Sequence, residues 1–251
     1  MKLELERTLD RQRAPWKLLS WLVVGALVFS LLDYLGNSSG WVDSSSLRQL
    51  ANVGREDSLH NFVASVQELA VASIAFVLYL HARRAESRGV RFEWGGGVAV
   101  AFFEWIGLDD GAAIHERVGT AVEGGVAFLP SYAWQVVFVP IFTVAMLVTF
   151  HVVLRTRRVS WTRTLFTAGL ACYIVAVGLD YLEGCVGAYD HVASFLGVPL
   201  ESVSHYSRVV EEFFEDFGAS LILVALLRHL LFTVGSIRLS VVNRSESGAE
   251  G

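Results

Sequence analysis

The chain has 251 residues, 53% of them hydrophobic, with a mean hydropathy of +0.48 and a formal net charge of −5. This composition excludes an ordinary soluble domain, because several apolar runs approach the length of about 20 residues that crosses a bilayer. The negative charge argues against nucleic-acid binding, and two cysteines are too few for a disulfide scaffold.

Six apolar segments have the length of membrane-spanning helices, so the sequence predicts an all-α, polytopic membrane protein. The first is too long for a signal-peptide core and lacks a small-residue cleavage site, which predicts a retained helix. Residues 1–15 are predicted to be a cytoplasmic segment, 16–235 the transmembrane domain and 236–251 a flexible cytoplasmic tail. The predicted spans are Trp16–Leu35, Asn61–Leu80, Phe92–Ile114, Ala133–Leu154, Thr164–Leu182 and Val210–Phe232.

The basic residues predict the orientation. With the N-terminus in the cytoplasm, the inner segments carry sixteen lysines and arginines and the outer segments carry four. Because cytoplasmic flanks are rich in lysine and arginine, we expect three outward–inward hairpins in the cell (inner) membrane, with both termini cytoplasmic. Most of the acidic residues then lie on the outer side, where they attract cations.

The first two spans carry polar residues near their outward ends. Span 1 is predicted to stop at Gly36, in the turn sequence Gly36-Asn37-Ser38-Ser39-Gly40. Span 2 begins near His60 and carries Glu68 two turns further along the helix.

Span 3 contains the sequence EWIGLDDGAAIHE, from Glu104 to Glu116, with four carboxylic acids and one histidine. In a continuous helix at about 100° per residue, Glu104 and His115 differ by about 20° in direction. We therefore expect span 3 to be central, with Glu104 and His115 close to Asp109 and Glu215. Charged groups inside a membrane are usually functional.

The last two spans add a second acidic group. Span 5 ends in Asp180 and Glu183, and the following stretch, with His191 and His205, is predicted to be a solvated loop. Span 6 begins with like-charged pairs four residues apart, which repel unless cations, shared protons or bases offset them. These pairs are Glu211 with Glu215 and Glu212 with Asp216.

A weak internal repeat relates the first and last hairpins. A shift of 147 residues aligns Asp33 with Asp180 and Glu68 with Glu215 without a gap. These two acidic matches support the repeat more strongly than the apolar matches around them.

Two motifs resemble those of a group of uncharacterised multi-pass bacterial membrane proteins, whose helices carry Leu-Asp-Glu…His-Glu and Glu-Glu-x-x-Glu-x-x-Gly. The matching stretches are Leu108-Asp109-Asp110…His115-Glu116 and Glu211-Glu212-Phe213-Phe214-Glu215…Gly218. Asp110 stands where the group has Glu, which shortens the side chain. The resemblance covers spans 3 to 6 and implies six helices, but no activity.

Carboxylates and a histidine from several helices suit a divalent metal such as zinc, manganese or iron. The first interpretation is therefore a membrane metalloenzyme with an outward-facing site, in which metal-activated water attacks a lipid or small-molecule substrate. The predicted catalytic residues are Glu104, Asp110 and Glu212. The predicted metal ligands are Asp109, His115, Glu116, Asp180, Glu215 and Glu68.

Two alternatives remain open at the level of sequence. A cation or proton-coupled transporter or channel would use the acidic outer side to concentrate cations. A structural or sensory subunit would hold its buried carboxyl groups protonated and hydrogen-bonded to one another, to helix ends or to Tyr34, Tyr173 and Tyr181. No nucleotide or phosphate-loop motif is present, and the partners expected are the lipid bilayer and a small molecule, lipid or cation.

Overall fold

A computed structural model describes residue 10 and residues 12–39, 41–55, 57–85, 93–122, 131–155 and 161–233. These residues form helices and no strand, which confirms the all-α prediction for this part of the chain. The predicted tail, 236–251, lies outside it. The helices are α1 (Arg13–Asp33), continued by a π-helical turn (Tyr34–Ser38), α2 (Ser45–Ala51), α3 (Leu59–Ala85), α4 (Glu93–Ala112), α5 (Ile114–Val122), α6 (Trp134–Arg155), α7 (Thr162–Gly184), α8 (Asp190–Leu196) and α9 (Leu200–Thr233).

Four helices are long and apolar enough to cross a membrane: α1 with its π-helical turn, α3, α7 and α9. The other two predicted spans correspond to α4 and α6. Helix α4 carries four acidic residues, and the apolar part of α6 within the described residues, Val137–Val152, is shorter. The number of six spans, the orientation and the internal repeat therefore stay predictions.

Helix α9 is the centre of the bundle, and the prediction that span 3 takes this place is wrong. Helix α9 packs along α7 and also contacts α1, α3 and α8, whereas α4 contacts α3, α5 and α6. The apolar window of α9 is 67% buried, against 6% for that of α1. Helix α1 packs on α9 and makes little contact with α3, so the first predicted hairpin is not a closely packed pair.

Small residues allow the helices to approach closely. A Cβ atom added at Gly169 of α7 would lie 2.6 Å from Cγ1 of Ile222 and 2.8 Å from the carbonyl oxygen of Gly218, both on α9. A Cβ at Gly95 would lie 2.1 Å from Cγ2 of Val152, so this glycine of α4 provides close contact with α6. Such contacts stabilise helix pairs in membranes through van der Waals packing.

The ends of three helices differ from their predicted positions. Helix α1 does not stop at Gly36, because the π-helical turn continues to Ser38. The span predicted to run to Ile114 ends at Ala112, and Ala113 has a left-handed φ of +48°. Helix α9 begins at Leu200 instead of Val210, so the predicted loop before it contains α8 and the first ten residues of α9.

Candidate functional site

A cavity of about 1070 Å³ lies between α4, α6, α7 and α9. It reaches the surface at the end of the bundle where α2 and α8 lie, which we call the acidic end. Exposed Asp57, in the turn before α3, lies on its wall there. The cavity is large enough for an organic molecule, since pockets for such ligands have volumes of about 300–1,000 Å³.

Nine carboxylic acids line this cavity, with two arginines and one histidine. Arg55 pairs with Asp57, Nε to Oδ1 at 2.8 Å and Nη2 to Oδ2 at 3.1 Å, and Arg208 pairs with Glu183. The two arginine charges are therefore offset locally, and His115 is the remaining basic side chain among the described lining residues, against seven further acids. These seven are Asp109, Asp110, Glu116, Asp180, Glu211, Glu212 and Glu215.

The deeper part of the cavity is apolar and aromatic. Asp109 and Phe102 lie about two helical turns apart on α4, so the phenyl ring of Phe102 lies about 10 Å deeper. On α7, Tyr173 and Val177 likewise lie deeper in the cavity than Asp180. The apolar and aromatic residues that line this deeper part are Phe102, Ile106, Val139, Phe142, Met146, Tyr173 and Val177.

The break at Ala113 brings His115 back onto Asp109. The Asp109 carboxylate accepts a hydrogen bond from the backbone N–H of His115 through Oδ1 at 2.7 Å, and its Oδ2 lies 3.0 Å from Nδ1 of the imidazole. Asp109 thereby caps the first turn of α5, where backbone N–H groups need acceptors. The His115 ring packs edge-on against Trp134 at 5.0 Å between centroids, which fixes it at the cavity wall.

A buried glutamate lies behind the wall. Glu68 of α3 is 3% exposed, and its Oε1 accepts a hydrogen bond of 2.7 Å from the Tyr173 hydroxyl. Its carboxyl lies beside those of Asp110 and Glu215. Glu68 is thus separated from the cavity by residues that do line it.

Polar contacts outside the cavity also tie α9 to α3 and α1. His60 of α3 lies 2.7 Å from Asp216, Nε2 to Oδ2, and Gln67 donates to the backbone carbonyl of Asp216 at 2.9 Å. His205 of α9 lies 2.8 Å from Oδ2 of buried Asp33, which also accepts from the backbone N–H of Val53. The prediction that His205 is a solvated loop residue is therefore wrong.

The rim of the cavity has defined charge states. Hydrogen bonds from Arg55, and then from Gln49, lower the pKa of Asp57 to about 2, so this carboxylate stays ionised at neutral pH. Burial raises the pKa of the Tyr132 phenol, and the nearby Glu183 carboxylate raises it further. Tyr132 is therefore a neutral hydrogen-bonding group at the mouth.

The structure brings most of the predicted site residues together. Seven of the nine line the cavity: Asp109, Asp110, His115, Glu116, Asp180, Glu212 and Glu215. Glu68 lies behind the wall, beside Asp110.

Glu104 is exposed and does not line the cavity, so its predicted approach to His115 and Glu215 is wrong. The prediction assumed one continuous helix, whereas Ala113 breaks it. Glu104 points about 140° away from Asp109 on α4.

The predicted catalytic and metal-binding residues did not include Tyr173, Gln135 or Arg208, although the structural alternative named Tyr173 as a partner of buried carboxyl groups. Each is the partner of a predicted acid: Tyr173 of Glu68, Gln135 of Asp180 at 2.8 Å, and Arg208 of Glu183. Arg208 stands three residues before Glu211 and four before Glu212, but its partner is Glu183 of α7, so the local spacing did not predict this pair. Gln135 is a single polar residue near the start of an apolar helix, with no local pattern to distinguish it.

Within the described residues, no group of three or more histidine, cysteine, aspartate or glutamate side chains has the arrangement of a metal site. The histidines that could supply nitrogen ligands to a metal each pair with one acid instead, His115 with Asp109 and His60 with Asp216. The predicted metal site is therefore not supported by the geometry of these residues.

No curated protein and no solved structure matches the chain. One family matches residues 17–230, which include every helix that lines the cavity. The chain therefore belongs to the family described as Domain of unknown function (DUF8692).

Proposed function

We propose that the protein is an integral membrane protein that binds an organic cation in its acidic cavity and carries it across the bilayer. The observation that supports this most directly is the composition of the cavity wall. Nine acids against two arginines and one histidine line the same volume of about 1070 Å³ as a deeper aromatic chamber. Negative charge attracts a cation, and the faces of aromatic rings stabilise it where water is excluded.

The size and lining of the cavity favour an organic cation over a bare metal ion. A metal ion needs several ligand atoms about 2.0–2.6 Å away from it, converging on one point. The cavity instead spreads its carboxyl groups over four helices and adds apolar surface from Phe142, Met146 and Val177. This surface would contact the hydrocarbon part of an organic ligand.

The deep end of the cavity is closed by apolar side chains, which favours a carrier over an open channel. Phe102, Phe142 and Met146 line this end, and the core of the bundle continues beyond it with buried side chains such as Phe166 and Ile222. Ion paths through membranes are lined by polar groups or carbonyl oxygens. Release on the other side therefore requires a second conformation in which these apolar contacts separate.

In this proposal six helices cross the membrane, namely α1, α3, α4, α6, α7 and α9, with the acidic end outside and both termini in the cytoplasm. The bias in lysine and arginine supports this orientation. In a variant with Cys172 and Cys185 replaced by serine, a cysteine at exposed His191 should react with an impermeant maleimide in intact cells. A cysteine at Ser87 should react only after permeabilisation, and the reverse pattern would invert the orientation.

Calorimetry on the detergent-purified protein tests cation binding. The probe is tetraphenylphosphonium, with neutral triphenylphosphine oxide as the comparison. We expect only the phosphonium ion to bind with measurable heat. Replacing one acid on the wall, by Glu212→Gln or Asp180→Asn, should weaken binding by about 1–2 kcal/mol, or roughly 5- to 30-fold, because each removes a charge about 8–10 Å from the cation.

Glu104→Gln is the matched control, since it removes an acid of α4 that does not line the cavity. Its affinity should equal that of the unmodified protein. Equal binding of the neutral compound, or equal weakening by all three substitutions, would contradict the proposal.

A further inference from the structure

We propose that Glu68 and Asp110 together hold one exchangeable proton, and that a cation entering the cavity displaces it. This inference rests on the proposed function and adds a chemical coupling to it. Glu68 lies behind the cavity wall and does not line the cavity. Its proposed role therefore differs from that of the acids on the wall, which attract the cation.

The first observation is an incompletely bonded, buried carboxyl group. Glu68 is 3% exposed, and Oε1 accepts the hydrogen bond from Tyr173. Oε2 is also buried, and no N–H or O–H group of the described residues donates to it, while the carboxyl of Asp110 lies beside it. Buried polar atoms in native proteins are normally satisfied. A proton on Oε2 would let this oxygen donate to a neighbouring acceptor.

The second observation is the set of groups that face Glu68. They come from the helices around it: Asp110 from α4, Tyr173 from α7 and Glu215 from α9. Two of these groups are carboxylic acids and the third is a phenol, so none of them brings a positive charge to Glu68. Asp110 also faces Asp109, His115 and Asp216, and the two histidines nearby are already paired, His115 with Asp109 and His60 with Asp216. Because Glu68 is buried and its carboxyl lies beside that of Asp110, the two groups do not both ionise, and the pair retains a proton.

The third observation links the pair to the cavity. Asp110, Tyr173 and Glu215 line the cavity and also face Glu68. A cation in the cavity therefore lies one residue away from Glu68 and favours the ionised form of both carboxyl groups. The displaced proton leaves to bulk water as one positive charge enters, so the exchange is neutral overall.

Proton release on binding is the direct test. Tetraphenylphosphonium is suitable because it has a permanent charge and no proton of its own. Added to the purified protein in weakly buffered solution with a pH indicator, it should release about one proton for each cation bound. Its Kd should fall by up to tenfold for each unit of increasing pH over the range in which the pair titrates.

Two variants locate the proton. In Glu68→Gln, binding should be weaker and independent of pH, with no proton release, because the amide cannot ionise. Glu104→Gln, outside the cavity, should behave like the unmodified protein. Infrared difference spectra of the unmodified protein give a measurement that needs no variant: the carbonyl band of a protonated carboxylic acid should disappear when the cation binds.

The outcomes separate the two proposals. Binding without proton release or loss of the infrared band would overturn this inference and leave the proposed function intact. Proton release that persists in Glu68→Gln would also overturn it. If the cation does not bind at all, both proposals fail.

Discussion

The close contact between α7 and α9 gives the most direct mechanical prediction. In Gly169→Ala, the new Cβ would lie 2.6 Å from Cγ1 of Ile222 and 2.8 Å from the carbonyl oxygen of Gly218. Ordinary van der Waals contacts begin near 3.4 Å. The carbonyl belongs to the backbone and Ile222 is fully buried, so neither can move aside alone and the two helices must separate.

We expect Gly169→Ala to reduce the free energy of unfolding by about 1–3 kcal/mol, the range for added atoms in a packed core. For a chain of this size that corresponds to a fall in Tm of about 2–10 °C. The assay heats the protein in mild detergent. At each temperature, size-exclusion chromatography measures the fraction of protein that remains monodisperse.

Gly178→Ala provides the matched control on the same helix. A Cβ at Gly178 would have no atom within 4 Å. This variant should be unchanged or up to about 1 kcal/mol more stable, because alanine favours the helix over glycine. Equal Tm values for the two variants would refute the close packing of α7 on α9.

Three further substitutions test local features. Ala113→Gly should raise the free energy of unfolding by about 1 kcal/mol, because only glycine adopts a φ of +48° without strain; a lower Tm would contradict the helix break. Tyr173→Phe removes the hydrogen bond to buried Glu68 and should lower the free energy of unfolding by about 1–3 kcal/mol, whereas no change would indicate that water replaces it. Asp33→Ala removes the acceptor of the Val53 amide, so hydrogen exchange at Val53 should accelerate at least tenfold; an unchanged exchange rate would argue against this contact.

The apolar segments of the helices were predictable because each must bury or expose a long hydrophobic surface. The prediction Asn61–Leu80 lies inside the observed α3, Leu59–Ala85. Helix ends were less predictable, since backbone hydrogen bonds continue beyond the apolar stretch. Helix α9 extends ten residues before its predicted start for this reason.

The break at Ala113 could not be predicted from local propensity, because alanine is the strongest helix former. It depends on the Asp109 carboxylate, which accepts the backbone N–H of His115 at 2.7 Å and thereby stabilises a new helix start. The sequence contained the acid and the histidine. The three-dimensional fold determines that they interact across the bend at Ala113, and that they do not belong to one continuous helix.

The direction of Glu104 illustrates a second limit. Sequence spacing places residues relative to one another on a helix, but packing decides which direction faces the other helices. Phe103 is almost fully buried, and it points about 20° from Asp110 and about 100° from Glu104. The buried face of α4 therefore includes Asp110 and excludes Glu104.

Transport in liposomes is the most direct test of the central claim, exchange of an organic cation for a proton. Purified protein would be reconstituted into vesicles with an acidic interior, and labelled tetraphenylphosphonium would be added outside, with the membrane potential held at zero. The account predicts accumulation of the cation that requires the pH gradient and is absent in Glu68→Gln vesicles. Uptake at the rate of protein-free vesicles would contradict the account.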